Sequence, residues 1–295
     1  MLPSMNFFIN KKRNLHFSLG NNEYGEAFHV MSAYELQFKS NYNVSYTILG
    51  SAQISEFFKD LFNSNGLAYK NSDHLALTSH IIRDCFYDDC LKRIRNLIED
   101  LAKEEDWENQ LKEDKDFKKH CNGIINEDKK VIYFIRKRYD YNSHRNTSEV
   151  EIKTIQKFAK ENNFEIIYIS KFSEDDNIYN KYVKLSDFNL NKYFNWNFFK
   201  KHSIAKQLWF LNWLFEKCGA KASLGMMSGA MDGLPMVYGR KTIFFGRHKD
   251  VVPRMKRVSD SVPNLIWLQT EFSENSKSIN GELLKKNLKK LIILK

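Results

Sequence analysis

Basic side chains, glycines and carboxylates gather in four short stretches of this chain, each behind a run of β-prone residues. The first, 20–25, reads Gly-Asn-Asn-Glu-Tyr-Gly and is followed by Glu26 and His29. Gly20 and Gly25 allow a backbone to approach a ligand closely, and Asn21 and Asn22 add polar contacts. Glu23, Glu26 or His29 can take a proton from a hydroxyl nucleophile; each can equally be a surface or capping side chain. The second stretch, 136–146, carries Arg136, Arg138, Asp140 and Arg145. Alternation places Arg136 and Arg138 on one face. A guanidinium is a permanently charged planar fork that grips a diphosphate through two hydrogen bonds. Asp140 can orient such an arginine or contact a sugar hydroxyl, and the alternative is an exposed basic turn. The third stretch, Ser170 and Lys171 before the acids Glu174, Asp175 and Asp176, suits the base or ribose of a nucleotide or an ordinary polar loop.

The fourth stretch, 222–246, is the richest. It reads as small residues, a short helix, a tight turn and a buried strand. Ser228 and Gly229 stand where the helix would begin and Asp232 in its first turn. Gly239 supplies a left-handed residue to end it. Backbone N–H groups at a helix start favour an anion, although small residues also serve close packing of helix on sheet. Arg247, Arg254, Lys256 and Arg257 follow. Such cations would stabilise charge developing on a leaving diphosphate and leave no need for a metal cofactor. No compact Asp-x-Asp stands at a strand end, Asp88 and Asp89 lying in helical surroundings, so a metal-bridged diphosphate is not indicated.

These stretches need elements to hold them. Strands are predicted at 15–19 and 44–49, with helices over 26–38 and 54–62, the β-α-β-α opening of a doubly wound sheet. Leu91, Ile94, Leu97, Ile98 and Leu101 keep helical spacing, and the charged run 104–119 reads as a solvated bridge between two lobes. A second α/β series begins with a strand at 131–135. Ser148 and Glu151 form a capping box for a helix reaching about 162, and a strand follows over 165–170. The span 172–199 is polar and aromatic without clear periodicity. A strong helix covers 203–218, a last strand begins at 264, and a helix from 281 carries leucines on one side and lysines on the rest. That helix can lie on an anionic membrane or dock on the protein's own core.

Composition narrows the classes. A net charge of +10 attracts something anionic. Seven Lys or Arg stand between Arg240 and Arg257 against the single acid Asp250. Four cysteines without C-x-x-C spacing offer neither a zinc site nor a disulfide framework. There is no apolar run of about 18 residues for a spanning helix, nor a secretory leader, so the expected place is the cytoplasm, with contact at the inner membrane face through the C-terminal helix.

Two α/β units joined by a helical connector imply an α/β fold of two Rossmann-like lobes facing a cleft, an acceptor lobe over 1–125 and a nucleotide-sugar lobe over 126–295. This order resembles glycosyltransferases of the GT-B architecture, here with a compact N-terminal lobe. The segment 227–232, Met-Ser-Gly-Ala-Met-Asp, is similar to the Ser-Gly-x-x-His segment of heptosyltransferase-like enzymes, with Asp232 in place of the histidine. The turn 136–140, Arg-Lys-Arg-Tyr-Asp, is similar to the Arg-Arg-Gly-Asp turn of fucosyltransferases, without its glycine. The resemblance implies a nucleotide-sugar donor on the C-terminal lobe and a glycan, lipid-linked or protein acceptor on the other. Arg136, Arg138 and Arg247 would then hold the diphosphate with the amides near Ser228 and Gly229, Asp232 or Asp140 would position hydroxyls, and Glu23 or Glu26 would be the base. A nucleic-acid-binding protein is the contrasting class, disfavoured because the basic residues cluster in loops and no recognition motif appears. A sugar-nucleotide epimerase would share the two-lobed plan.

Overall fold

The computed structural model describes residues 13–20, 42–49, 68–69, 88–136, 146–170, 181–183, 188–226, 231, 233–246, 262, 264–269 and 280–293. The chain divides into two compact units, Met1–Cys90 and Leu91–Lys295.

The first unit contains a parallel sheet of β1 (Arg13–Gly20), β2 (Tyr42–Leu49) and β3 (Ala68–Tyr69), in that order. Arg13 pairs with Tyr42 and Gly20 with Leu49. Parallel pairing of consecutive strands excludes a tight hairpin between them, in keeping with the predicted crossover. The helices expected at 26–38 and 54–62 lie outside the described residues.

The second unit begins with α1 (Asp88–Glu104), which crosses the division, and continues through α2 (Trp107–Glu113) and α3 (Lys115–His120). Next come β4 (Lys129–Phe134), α4 (Glu149–Glu161), β5 (Phe164–Ser170) and β6 (Phe188–Asn191). Two 3-10 turns, Tyr193–Asn195 and Asn197–Phe199, lead to α5 (Ser203–Lys217) and β7 (Ala220–Met226). The last elements are α6 (Gly233–Tyr238), β8 (Thr242–Gly246), β9 (Leu265–Gln269) and α7 (Gly281–Leu288). All six strands are parallel, in the order β6-β5-β4-β7-β8-β9. By chain position within this unit that is 3-2-1-4-5-6, the doubly wound Rossmann-like order, which reverses between β4 and β7.

Burial explains the order. Val131, Ile132, Tyr133 and Phe134 are all buried, as a central strand covered on both faces requires. Alternation sends Val131 and Tyr133 to one face, where they join Ile152, Ile155 and Phe158 of α4 and Leu284 and Leu288 of α7. The C-terminal helix therefore docks on its own sheet, with Lys286, Lys289 and Lys290 turned outward. On the opposite face Phe134 lies beside Gly225 and Met231, and α6 sits on α5 where Gly233 meets Leu208.

The charged run 104–119 is largely exposed, as the sequence suggests, but it lies within the second unit rather than bridging two lobes. Trp107, Leu111 and Phe117 are buried and seat the run on α5. Trp107 meets the Trp209 ring edge-on at 5.9 Å, and Phe117 meets Trp213 at 5.5 Å. The charges occupy the outer side, where Lys112 pairs with Glu108 at 2.7 Å and Lys118 with Glu113 at 2.6 Å. Two apolar side chains one helical turn apart on α2 and a third on α3 suffice to seat the pair.

Candidate functional site

In open α/β sheets the ligand crevice lies beyond the carboxyl ends of the strands where the order reverses. Here that point is the adjoining ends of β4 and β7. Ile135 continues β4, its N–H donating to the Ile169 carbonyl at 2.9 Å, and Arg136 follows half-buried. The Arg136 N–H donates to Thr147 Oγ1 at 2.9 Å, and the Thr147 N–H donates back to the Arg136 carbonyl at 2.7 Å. These two bonds pinch the chain together at residues 136 and 147, just beyond the carboxyl end of β4.

Just past the pinch, the expected capping box starts α4. The Glu151 N–H donates to Ser148 Oγ at 3.3 Å, and the Ser148 N–H donates to the Glu151 carboxylate at 3.5 Å. Glu151 is fully buried and also accepts from the Tyr133 hydroxyl at 3.2 Å. One carboxylate therefore ties the helix start to the central strand beneath it. Neighbouring Ser170, 3% exposed, ends β5, and its carbonyl accepts from the Lys192 N–H at 3.0 Å.

The small residues around β7 have packing duties. A side chain at Gly225 would meet the Phe134 carbonyl oxygen at 2.7 Å, and one at Gly233 would collide with Leu208. Gly239 has φ +61°, and the Arg240 N–H closes back on the Leu234 carbonyl at 3.1 Å, so it ends α6 as the sequence predicts. The described α6 is short, six residues from Gly233 to Tyr238, all of them buried.

Of the candidate residues, the structure places Arg136 and Ser170 at the carboxyl ends of adjacent strands, β4 and β5. Gly20 ends β1 in the other unit. Asn21, Asn22, Glu23, Glu26, Arg138, Asp140, Arg145, Lys171, Ser228, Gly229, Asp232 and Arg247 lie outside the described residues. Among the described residues no group of three or more His, Cys, Asp or Glu is placed to hold a metal ion. None of the described helices is long and apolar enough to cross a membrane.

A second polar cluster escaped the sequence reading. Lys206, in the first turns of α5, is 3% exposed, and its Nζ donates to Gln110 Oε1 at 3.0 Å. The ammonium stands 4.5 Å from the Phe198 ring centroid and 5.4 Å from that of Trp107. Burial depresses its pKa below the ordinary lysine value. Each ring offers a cation about 0.5–2 kcal/mol, against several kcal/mol for removing an ion from water, so the rings offset only part of the cost. Glu105 nearby accepts from Lys201 Nζ at 2.6 Å and from the Trp107 indole at 3.0 Å, and contacts His202 Nε2 at 3.1 Å. Those partners, Lys201 first, hold the Glu105 carboxyl down at about 2. The one available signal was a lysine inside the apolar run 204–214.

Set against known proteins, the chain matches no family model and no curated protein.

Proposed function

We propose that the chain is a glycosyltransferase of the GT-B type, moving a sugar from a nucleotide donor to an acceptor hydroxyl, with arginines rather than a metal ion neutralising the leaving diphosphate. The observation that carries the reading is the 3-2-1-4-5-6 parallel sheet with Arg136 directly behind its first strand, at the reversal beside β7. A diphosphate over these strand ends would meet the Arg136 guanidinium, whose backbone the Thr147 pinch fixes. An arginine fixed in place before reaction stabilises developing charge without reorganising. Arg138 and Arg247 would complete the grip, Ser170 and Lys171 would border the nucleoside, and Asp140 or Asp232 would position hydroxyls. The first unit would present a glycan, lipid-linked or protein acceptor to Glu23 or Glu26 as base, and the outward lysines of α7, whose apolar side is docked on the sheet, would meet an anionic membrane face.

The test is thermal unfolding with UDP, GDP, ADP, CMP and their sugars, since a ligand of the folded state raises its stability by mass action. One nucleotide should raise the wild-type Tm and lose that effect in Arg136→Ala, whose turnover should fall by about 10²–10³. If none of them stabilises the protein, or Arg136→Ala keeps wild-type turnover, the reading is wrong. Release of nucleoside diphosphate with a glycosylated acceptor, rather than an altered free sugar nucleotide, separates transfer from epimerisation.

A further inference from the structure

We propose that an open groove between α2 and the first turns of α5 is a second binding site, for a small ligand bearing a phosphate or carboxylate group, with the Lys206 ammonium as its deep anchor. The groove encloses about 770 Å³ and is lined by Gln110, Phe198, Lys200, Lys201 and Lys206 together with three acids. It involves neither β4 nor β7, so it stands apart from the nucleotide site proposed above.

The electrostatics of the groove are incomplete. An ammonium has three N–H donors, and Lys206 directs one to Gln110 Oε1. Among the described residues no carboxylate lies within ion-pairing distance of it. The three acids of the groove are all committed elsewhere. Glu105 is held by Lys201, His202 and Trp107. Asp114 accepts the N–H groups of Asp116 and Phe117 on one oxygen and of Phe198 on the other. Glu113 pairs with Lys118 at 2.6 Å. Lys200, exposed at the rim, adds a further positive charge. Glu105 attracts the ammonium only from beyond ion-pairing distance, and a buried cation without a counter-charge in contact is costly, a cost that an anion entering from solvent lowers.

The surroundings are built for such a guest. The Gln110 amide donates to the Glu105 carbonyl, which leaves its oxygen turned to Lys206. The His202 side chain goes to Glu105 rather than capping the first N–H groups of the 15-residue α5, so the positive end of the helix field adds to the attraction for an anion. Burial already lowers the Lys206 pKa, and a bound anion would restore it.

The experiment titrates the full chain with inorganic phosphate, with acetate and, at matched ionic strength, with chloride. It follows the Trp107 indole ¹H–¹⁵N signal and Tm. Phosphate or acetate should shift the indole signal saturably and raise Tm by a few degrees, and whichever acts names the ligand's anionic group. Chloride should do neither. Lys206→Met, close in shape and uncharged, should weaken the response at least tenfold, and Lys206→Arg should keep much of it. Arg136→Ala should respond like wild type, so failure of the nucleotide reading leaves this one standing. No saturable response in the wild type, a response equal to that of chloride, or an undiminished response in Lys206→Met would overturn the proposal. If Lys206→Met does not fold, the wild-type titration decides alone.

Discussion

Arg136 and Thr147 are joined twice, once in each direction, by hydrogen bonds of 2.9 and 2.7 Å. One bond uses the threonine hydroxyl and the other only backbone, so the two can be separated. Thr147→Val keeps the shape but removes the acceptor for the Arg136 N–H. Stability should fall by about 1–2 kcal/mol, lowering Tm by about 2–4 °C for each kcal/mol, and nucleotide affinity should fall with it. Thr147→Ser should restore both. Unchanged nucleotide affinity in Thr147→Val would show that the pinch does not position Arg136.

Gly225→Ala tests the close approach of β7 to β4. The added methyl would stand 2.7 Å from the Phe134 carbonyl oxygen, 3.0 Å from Phe134 Cβ and 3.2 Å from Met231 Sδ. The first two atoms belong to a central strand and cannot retreat freely. Overpacking of this kind costs about 1–3 kcal/mol. The urea midpoint should drop accordingly, and a midpoint equal to wild type would mean that the strands separate more easily than their packing implies.

Glu105 gives the second unit an acid-sensitive tie. Its carboxyl is depressed from the ordinary 4.5 to about 2, chiefly by the Lys201 hydrogen bond and then by the Trp107 indole. A depressed carboxylate contributes stability that is present above its unfolded pKa and is lost as pH falls through the folded value. The contribution is therefore full above about pH 4.5 and fades toward pH 2. Glu105→Gln should destabilise at neutral pH, and its stability should change less steeply with pH in that window. Parallel acid-unfolding curves for variant and wild type would contradict the assignment.

Ser223 and Thr242 share a buried hydroxyl pair at 2.7 Å across β7 and β8. The Thr242 hydroxyl also donates to the Arg240 carbonyl at 3.2 Å. Thr242→Val leaves the Ser223 hydroxyl buried without that partner, at a cost of about 1–3 kcal/mol. Adding Ser223→Ala removes the orphaned group, so the double variant should recover part of the loss. A double variant less stable than the sum of the single changes would reverse the argument.

The fold was legible where local chemistry decides. Ser148 and Glu151 announce their helix because both partners of the capping box lie within four residues. The strand 131–135 stands out because both its faces are apolar. Phe188–Asn191 was not legible, since an edge strand with two asparagines lacks both alternation and an apolar run. Trp107, Leu111 and Phe117 were hidden among charges whose outward placement only tertiary packing reveals. Strand order is likewise a long-range property, and the reversal between β4 and β7 follows from it. For the site, Arg136 and Ser170 could be named from strand-end positions alone. Lys206 shows only as a lysine among the apolar residues of 204–214, which does not tell a buried ammonium from one that reaches water.

The seat of α7 bears on how the second unit is made. Leu284 and Leu288 follow every strand of the sheet in chain order, yet they close the face formed by Val131, Tyr133, Leu224 and Phe245. A growing chain that has completed β9 still presents that oily surface to its surroundings, the kind of intermediate that self-associates. Synthesis halted before 284 should therefore yield a product that clumps or engages chaperones, however complete its strands.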